Sequence, residues 1–148
     1  MDNTDRNLLN VLQREFPIEA RPFAAIADRL GISEDEVLER IKKLRDEGLI
    51  RRLGVSLNPR NLGYTSTLAG ARVKPGNLSA AAEYINKFAE VTHNYEREDE
   101  FNLWFTVIAK DEETIVKVID DIRVNAGVKE IINLPATHIF KIDAKFKL

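Results

Sequence analysis

The stretch FNLWFTVIAKDEETIVKVIDDIRVNAG, residues 101–127, changes its period halfway along. Phe101, Leu103, Phe105 and Val107 alternate with Asn102, Trp104, Thr106 and Ile108, which is the pattern of a strand with two distinct faces. Beyond Lys110 the apolar positions become Ile115, Val118, Ile119 and Ile122, the i, i+3, i+4, i+7 face of a helix over about Asp111 to Arg123. Gly127 stops it. Working upstream, Val91 to Arg97 reads as a strand, joined to Phe101 through the charged turn Glu98-Asp99-Glu100. Leu78 to Phe88 reads as a helix with Ala81, Ile85 and Phe88 on one side. Thr65 to Val73 is a strand closed by the turn Pro75-Gly76-Asn77. Downstream, a last strand runs from about Ile131 to Phe140, interrupted near Pro135. The order βαββαβ predicts a ferredoxin-like α+β sandwich with its helices on one face of the sheet.

The first third is helical. Thr4 is the expected cap of a first helix with Leu8, Leu9, Leu12 and Phe16 near one face, and Pro17 ends it. Pro22 suits the first turn of a second helix in which Phe23, Ile26, Ala27 and Leu30 face inward. Gly31 closes that helix, and Ser33 with Glu36 spells a capping box for a third. Val37, Ile41 and Leu44 form its apolar stripe, and Gly48 stops it. Two helices joined by Gly31-Ile32-Ser33 make a helix-turn-helix. LIRRLGVSLNP, after it, reads as a strand pair or wing. We therefore expect a winged helix-turn-helix domain over residues 1–60 and a ferredoxin-like ligand-binding and dimerisation domain over 61–148.

Bulk composition narrows the function classes. The 148 residues are 44% hydrophobic and 31% charged, as in a globular protein. No apolar run approaches the roughly 20 residues that span a bilayer, and MDNTDRNLL is too acidic and polar for a secretory signal. Zero cysteines remove disulfides and thiol chemistry, and fit a reducing cytoplasm. No glycine-rich phosphate loop or zinc-spaced cluster is present. With a formal net charge of -2, the chain lacks the basic balance usual for a nucleic-acid binder.

VTHNYERED, residues 91–99, is the least ordinary stretch. Strand alternation puts His93, Tyr95 and Arg97 on one face, about 6–7 Å apart along the strand. If Phe101, Leu103, Phe105 and Val107 pack under the helices, then Asn102, Trp104, Thr106 and Ile108 lie on the free face. An exposed tryptophan and isoleucine there form an apolar patch of the kind that marks an interface or ligand site. Dimerisation through that face is the default expectation.

A winged helix-turn-helix followed by βαββαβ resembles the Lrp/AsnC layout. TDRNLLNVLQREFP, LGISEDEVLERIKKLRDEGLIRRLGVSLNPRNLGY and THIFKIDAK carry that resemblance along essentially the whole chain. Within it, IRRLGVSLNPRNLGY, THNYERED and FNLWFTVIAK look most like one branch, the siroheme decarboxylases of alternative haem biosynthesis. The resemblance implies a carboxy-lyase that removes CO2 from two acetate side chains of siroheme to give didecarboxysiroheme. It implies no added cofactor, the iron arriving with the substrate. It also implies pairing with a homologous but non-identical subunit, with a homodimer as the other arrangement.

That function has physical requirements. Guanidinium groups clamp carboxylates, aromatic surface covers the macrocycle, and a group titrating near neutrality manages the proton that replaces CO2. His93 and Tyr95 are the catalytic candidates; Arg51, Arg52, Arg97 and Trp104 are the substrate-binding ones. His93 can protonate the carbon, hold a carboxylate or ligate the substrate iron, and the sequence leaves these roles open. Arg51 and Arg52 would reach from the head toward the substrate. His138, Arg72 and Lys74 read more simply as structural or solvent-exposed residues.

The competing reading is an Lrp/AsnC transcriptional regulator that senses a small ligand, and a third is a non-catalytic tetrapyrrole-binding partner. DNA recognition needs a cationic helix in the groove. The third helix instead opens with Glu34, Asp35, Glu36 and Glu39, and residues 1–58 hold ten Lys/Arg against eleven Asp/Glu. An acidic first turn repels phosphate, which argues against DNA as the partner.

Overall fold

The computed structural model of the chain describes residues 1–143, 145–146 and 148. Three helices come first: α1 (Asn3–Arg14), α2 (Pro22–Leu30) and α3 (Glu34–Asp46). They are followed by β1 (Thr65–Arg72), α4 (Leu78–Ile85), β2 (Val91–Glu96), β3 (Leu103–Ala109), α5 (Glu112–Asn125) and β4 (Glu130–Pro135). The chain divides into two units, residues 1–56 with 141–148, and residues 57–140. Phe146 belongs to the helical unit, where the Gln13 amide donates to its carbonyl at 2.8 Å and accepts from its backbone N–H at 2.8 Å.

In the first unit Leu8, Ile26, Ala27, Val37 and Leu44 form the core, as the helical periodicity requires, and Ile50 joins them from the chain after α3. The caps differ from expectation. Asp2, not Thr4, caps α1: its carboxylate accepts from the Asp5 N–H at 2.7 Å, and the Asp5 carboxylate accepts from the Asp2 N–H at 3.0 Å. Reciprocal capping satisfies two orphan donors at once and draws Thr4 into the first turn. Ser33 does cap α3 through the Glu36 N–H at 3.1 Å. The Glu36 carboxylate does not close the box; it turns to Arg40 at 2.8 Å, and Arg40 also binds Asp2 at 2.8 Å and the buried Asp5 at 2.7 Å. Residues 51–58 hold no strand, so the expected wing is extended chain without a ladder partner among the described residues.

This charge cluster makes the head's stability depend on acid. The Asp5 N–H holds the Asp2 carboxyl below its ordinary value of 3.8, and the Asp2 N–H does the same for Asp5, with Arg40 adding to both. A depressed folded-state value contributes stability above the unfolded value, and that stability is lost as pH falls through the folded one. The helical melting midpoint, followed by circular dichroism, should therefore be level near neutrality and fall from roughly pH 4 downward. Arg40→Met should lower the midpoint at neutral pH and shrink this acid dependence. A variant with an unchanged midpoint and the same acid slope would show that the cluster contributes nothing.

The second unit is a four-stranded antiparallel sheet in the order β2-β3-β1-β4, the ferredoxin-like arrangement. Beneath it lie α4 and α5. Helix α5 is rich in β-branched residues, which favour strands. Its amphipathic period prevails because Ile115, Val118, Ile119 and Ile122 are all buried against the sheet. Asp111 caps it, accepting from the Thr114 N–H at 2.7 Å. In β3, Leu103, Phe105, Val107 and Ala109 are buried under the helices while Trp104, Thr106 and Ile108 are half-buried on the other face. β3 starts two residues later than the alternation suggests. The Asn102 side chain is not on the free face; it brackets the backbone of Val73, accepting from its N–H and donating to its carbonyl, both at 2.9 Å. β4 stops at Pro135, short of the expected Phe140, since proline has no N–H for the ladder. The following Ala136 carbonyl accepts from Arg60 at 2.9 Å.

Candidate functional site

Simple alternation would put Val91, His93 and Tyr95 on the same face of β2, a conflict for an apolar residue beside two polar ones. A β-bulge resolves it. Val91 pairs with Val107, yet His93 pairs with Thr106, so the strand gains a residue between them and changes face. Val91 packs against the core under the helices. His93 and Tyr95 turn to the open face, opposite Thr106 and Trp104. Asn94 points the other way and pins this edge strand from beneath, donating to the Ala82 carbonyl at 3.2 Å and to Asn86 at 3.0 Å, both in the α4 region.

On the open face the side chains form one group. The His93 and Tyr95 rings lie 6.1 Å apart and 30° from parallel. The Thr92 hydroxyl sits 3.0 Å from His93 Nδ1. The Trp104 indole N–H donates to the Phe101 carbonyl at 2.6 Å, which fixes the ring's orientation. The ring lies across Gly70 of β1: a Cβ there would meet Trp104 at 3.1 Å and Ile132 at 3.2 Å. A larger residue here would have to push the indole or Ile132 aside by a few tenths of an ångström. The Arg97 N–H donates to the Asn102 carbonyl at 2.9 Å, closing the β2–β3 hairpin. Leu68, His93, Tyr95, Arg97, Trp104 and Thr106 line a pocket of about 350 Å³.

The structure thus brings four of the six sequence-predicted site residues, His93, Tyr95, Arg97 and Trp104, around one pocket. Arg51 and Arg52 are exposed on extended chain after α3, in the first unit. Arg72 is taken up by Glu100 at 2.8 Å, Glu130 at 3.2 Å and the face of Phe101. Lys74 is exposed before a 3-10 turn, and His138 stands outside β4 with its ring against Phe140 at 4.5 Å. Two lining residues were not among the candidates. Thr106 was legible as a free-face position, whereas Leu68 comes from β1 and enters only through its register opposite Thr106. Thr92 was missed because a regular strand turns it away from His93.

A second hollow of about 340 Å³ lies where β3 meets α5, lined by Tyr64, Glu90, Ile108, Lys110, Asp111 and Thr114 among others. Hydrogen bonds from Thr114 hold the Asp111 carboxyl below its usual range, so it stays ionised. Two carboxylates against one lysine suit a polyanion poorly. The sheet pocket joins a guanidinium, an imidazole, a phenol and an indole, and suits an aromatic anion.

In the head some of the cations pair with acids: Arg40 as above, Arg21 with Glu34, Arg29 with Glu15 at 3.4 Å and Lys43 with Glu47 at 3.9 Å. Among the described residues no helix is long and apolar enough to cross a membrane.

A helix-turn-helix head joined to an open-faced ferredoxin-like sheet defines the Lrp/AsnC class. Residues 5–51 match the family model of the siroheme decarboxylase NirDL-like HTH domain, and residues 61–141 match that of the AsnC-like ligand binding domain. The whole chain is 42% identical to the siroheme decarboxylase alpha subunit of Nitratidesulfovibrio vulgaris, spanning 84% of it. It is 39% identical to the siroheme decarboxylase NirD subunit of Pseudomonas aeruginosa, spanning 97% of that chain. The crystal structure of siroheme decarboxylase NirDL in co-complex with an iron-uroporphyrin III analogue is similar over 89% of this chain and 44% of its own, with a TM-score of 0.66 and 32% identity. The chain belongs to the siroheme decarboxylase family.

Proposed function

We propose that the chain is a working subunit of a carboxy-lyase that converts siroheme to didecarboxysiroheme in the cytoplasm, by loss of CO2 from two acetate side chains. The observation that carries this reading is the convergence of His93, Tyr95, Arg97 and Trp104 on one pocket. Each supplies something the reaction needs. Arg97 offers a bidentate donor pair to a carboxylate. Trp104 offers a flat apolar surface to the macrocycle. When the C–CO2 bond breaks, its electron pair stays on the methylene carbon, and a proton must be delivered there. His93 is our choice for that donor, with Tyr95 stacked beside it as the second catalytic candidate. The iron of siroheme enters as part of the substrate.

The pocket volume falls at the small end of the roughly 300–1,000 Å³ usual for ligand sites. A tetrapyrrole needs more wall than this face provides. The face also leaves Leu68 and Leu134 exposed beside the pocket. Both points favour a second, homologous subunit completing the site, a heterodimer in the first instance and a homodimer as the alternative. The acidic first turn of α3, Glu34, Asp35 and Glu36, disfavours the regulator reading.

The test is to add siroheme anaerobically to the purified chain, alone and with its paralogue, and to follow the mass of the tetrapyrrole. Loss of two CO2 units supports the reading. No mass change and no visible-band shift, together with salt-sensitive DNA binding, would sink it. Arg51 and Arg52 remain candidates for binding substrate carboxylates. Their double alanine variant should weaken siroheme binding by roughly tenfold, the loss of about 1.4 kcal/mol from charge-assisted hydrogen bonds. Unchanged affinity in a titration would leave the pair structural.

A further inference from the structure

The contact between Thr92 and His93 is not one that a regular strand allows. Neighbouring side chains in a strand point to opposite faces, so a hydroxyl at one position does not reach a ring at the next. Here the bulge between Val91 and His93 brings them together, with Thr92 Oγ1 at 3.0 Å from His93 Nδ1. We propose that Thr92 is a positioning residue for His93: its hydroxyl oxygen accepts from Nδ1–H and leaves Nε2 as the nitrogen that serves the substrate. This rests on the reading of His93 as proton donor.

The protonation bookkeeping selects the direction of the hydrogen bond. An imidazolium carries hydrogen on both ring nitrogens and accepts nothing, so the Thr92 oxygen is the acceptor while the ring is charged. In the reaction the C–CO2 bond breaks, CO2 leaves, and the proton on Nε2 passes to the methylene carbon that keeps the electron pair. The ring is then neutral with hydrogen on Nδ1, still held by Thr92, and Nε2 regains its proton from water. Without the hydroxyl the ring is free to rotate, and Nε2 is no longer held toward the substrate. The same arrangement of an orienting partner on one nitrogen and chemistry on the other recurs at histidine sites.

Thr92→Val keeps the β-branched shape and removes the hydroxyl, whereas Thr92→Ser keeps the hydroxyl. Nitrogen-15 spectra of the imidazoles report the tautomer on the full chain without substrate. The sequence has only two histidines, so the signal lost in His93→Ala assigns His93. The neutral ring should carry Nδ1–H in the wild type and in Thr92→Ser, and shift toward Nε2–H in Thr92→Val. With the paralogue present, Thr92→Val should lower kcat for siroheme about tenfold with KM unchanged, and Thr92→Ser should restore it. An identical tautomer in wild type and Thr92→Val, or an unchanged kcat, overturns the assignment. Full turnover by His93→Ala overturns the proton-donor reading instead. The two failures are separable because the tautomer is read without substrate.

Discussion

Replacing His93 with alanine should lower kcat for CO2 release from siroheme by at least about 100-fold, the usual contribution of a positioned general acid. The expectation follows from where the bulge puts the ring. His93 faces the pocket beside Tyr95, Arg97 and Trp104 rather than packing beneath the sheet with Val91. It is exposed, so its removal opens no core cavity, and the melting profile of the variant should match the wild type. A stable variant that has lost turnover while still shifting the siroheme visible band would separate proton transfer from binding. If His93 instead held a carboxylate or the substrate iron, binding would weaken as well, and the titration would show it. Wild-type turnover in His93→Ala would remove this residue from the mechanism.

The second large effect is on stability. Phe105→Ala should destabilise the second unit by about 3–5 kcal/mol. Phe105 sits on the central strand β3, paired with Ala69 on one side and Asn94 on the other, and is 0% exposed. Its ring meets the buried faces of the helices below, in the cluster that includes Ile85, Ile119 and Ile122. Small neighbours such as Ala69, Ala71 and Ala81 have little side chain to move into the vacated space, so the cavity term stays large. Urea unfolding followed by tryptophan fluorescence measures this directly, because the single tryptophan, Trp104, is the next residue along the same strand. A loss below about 1 kcal/mol would mean that the core closes around the gap.

The two expectations differ in how legible they were. Phe105 as core followed from alternation in FNLWFTVIA alone, because a strand's two-residue period is a local property of the backbone. The helical stripe of α5 and the helices of the head were equally legible, and so was the ferredoxin-like order of elements. Local polar groups were harder to read. Thr4 looked like a cap, but Asp2 and Asp5 cap each other, and Glu36 left its capping box for Arg40. Such choices depend on partners far along the chain, as Arg40 is from Asp2 and Asp5. The wing failed for the same kind of reason, since a strand needs a ladder partner and apolar patterning in LIRRLGVSL does not supply one; β4 stops at Pro135, which has no N–H for the ladder.

For the site, sequence by itself determined the residue types. His93, Tyr95, Arg97 and Trp104 could be chosen from their spacing and from the polycarboxylate macrocycle that the family resemblance implies. What the tertiary structure decided was which of them meet. The bulge at Thr92 sends Val91 down and His93 up, a one-residue change of register that alternation cannot contain. Pairing of β1 with β3 brings Leu68 to Thr106 and lays Trp104 on Gly70 across more than 30 residues of chain. A strand's own sequence sets its two faces; only hydrogen bonding to its neighbours sets what stands opposite each side chain, and the pocket is made of those oppositions.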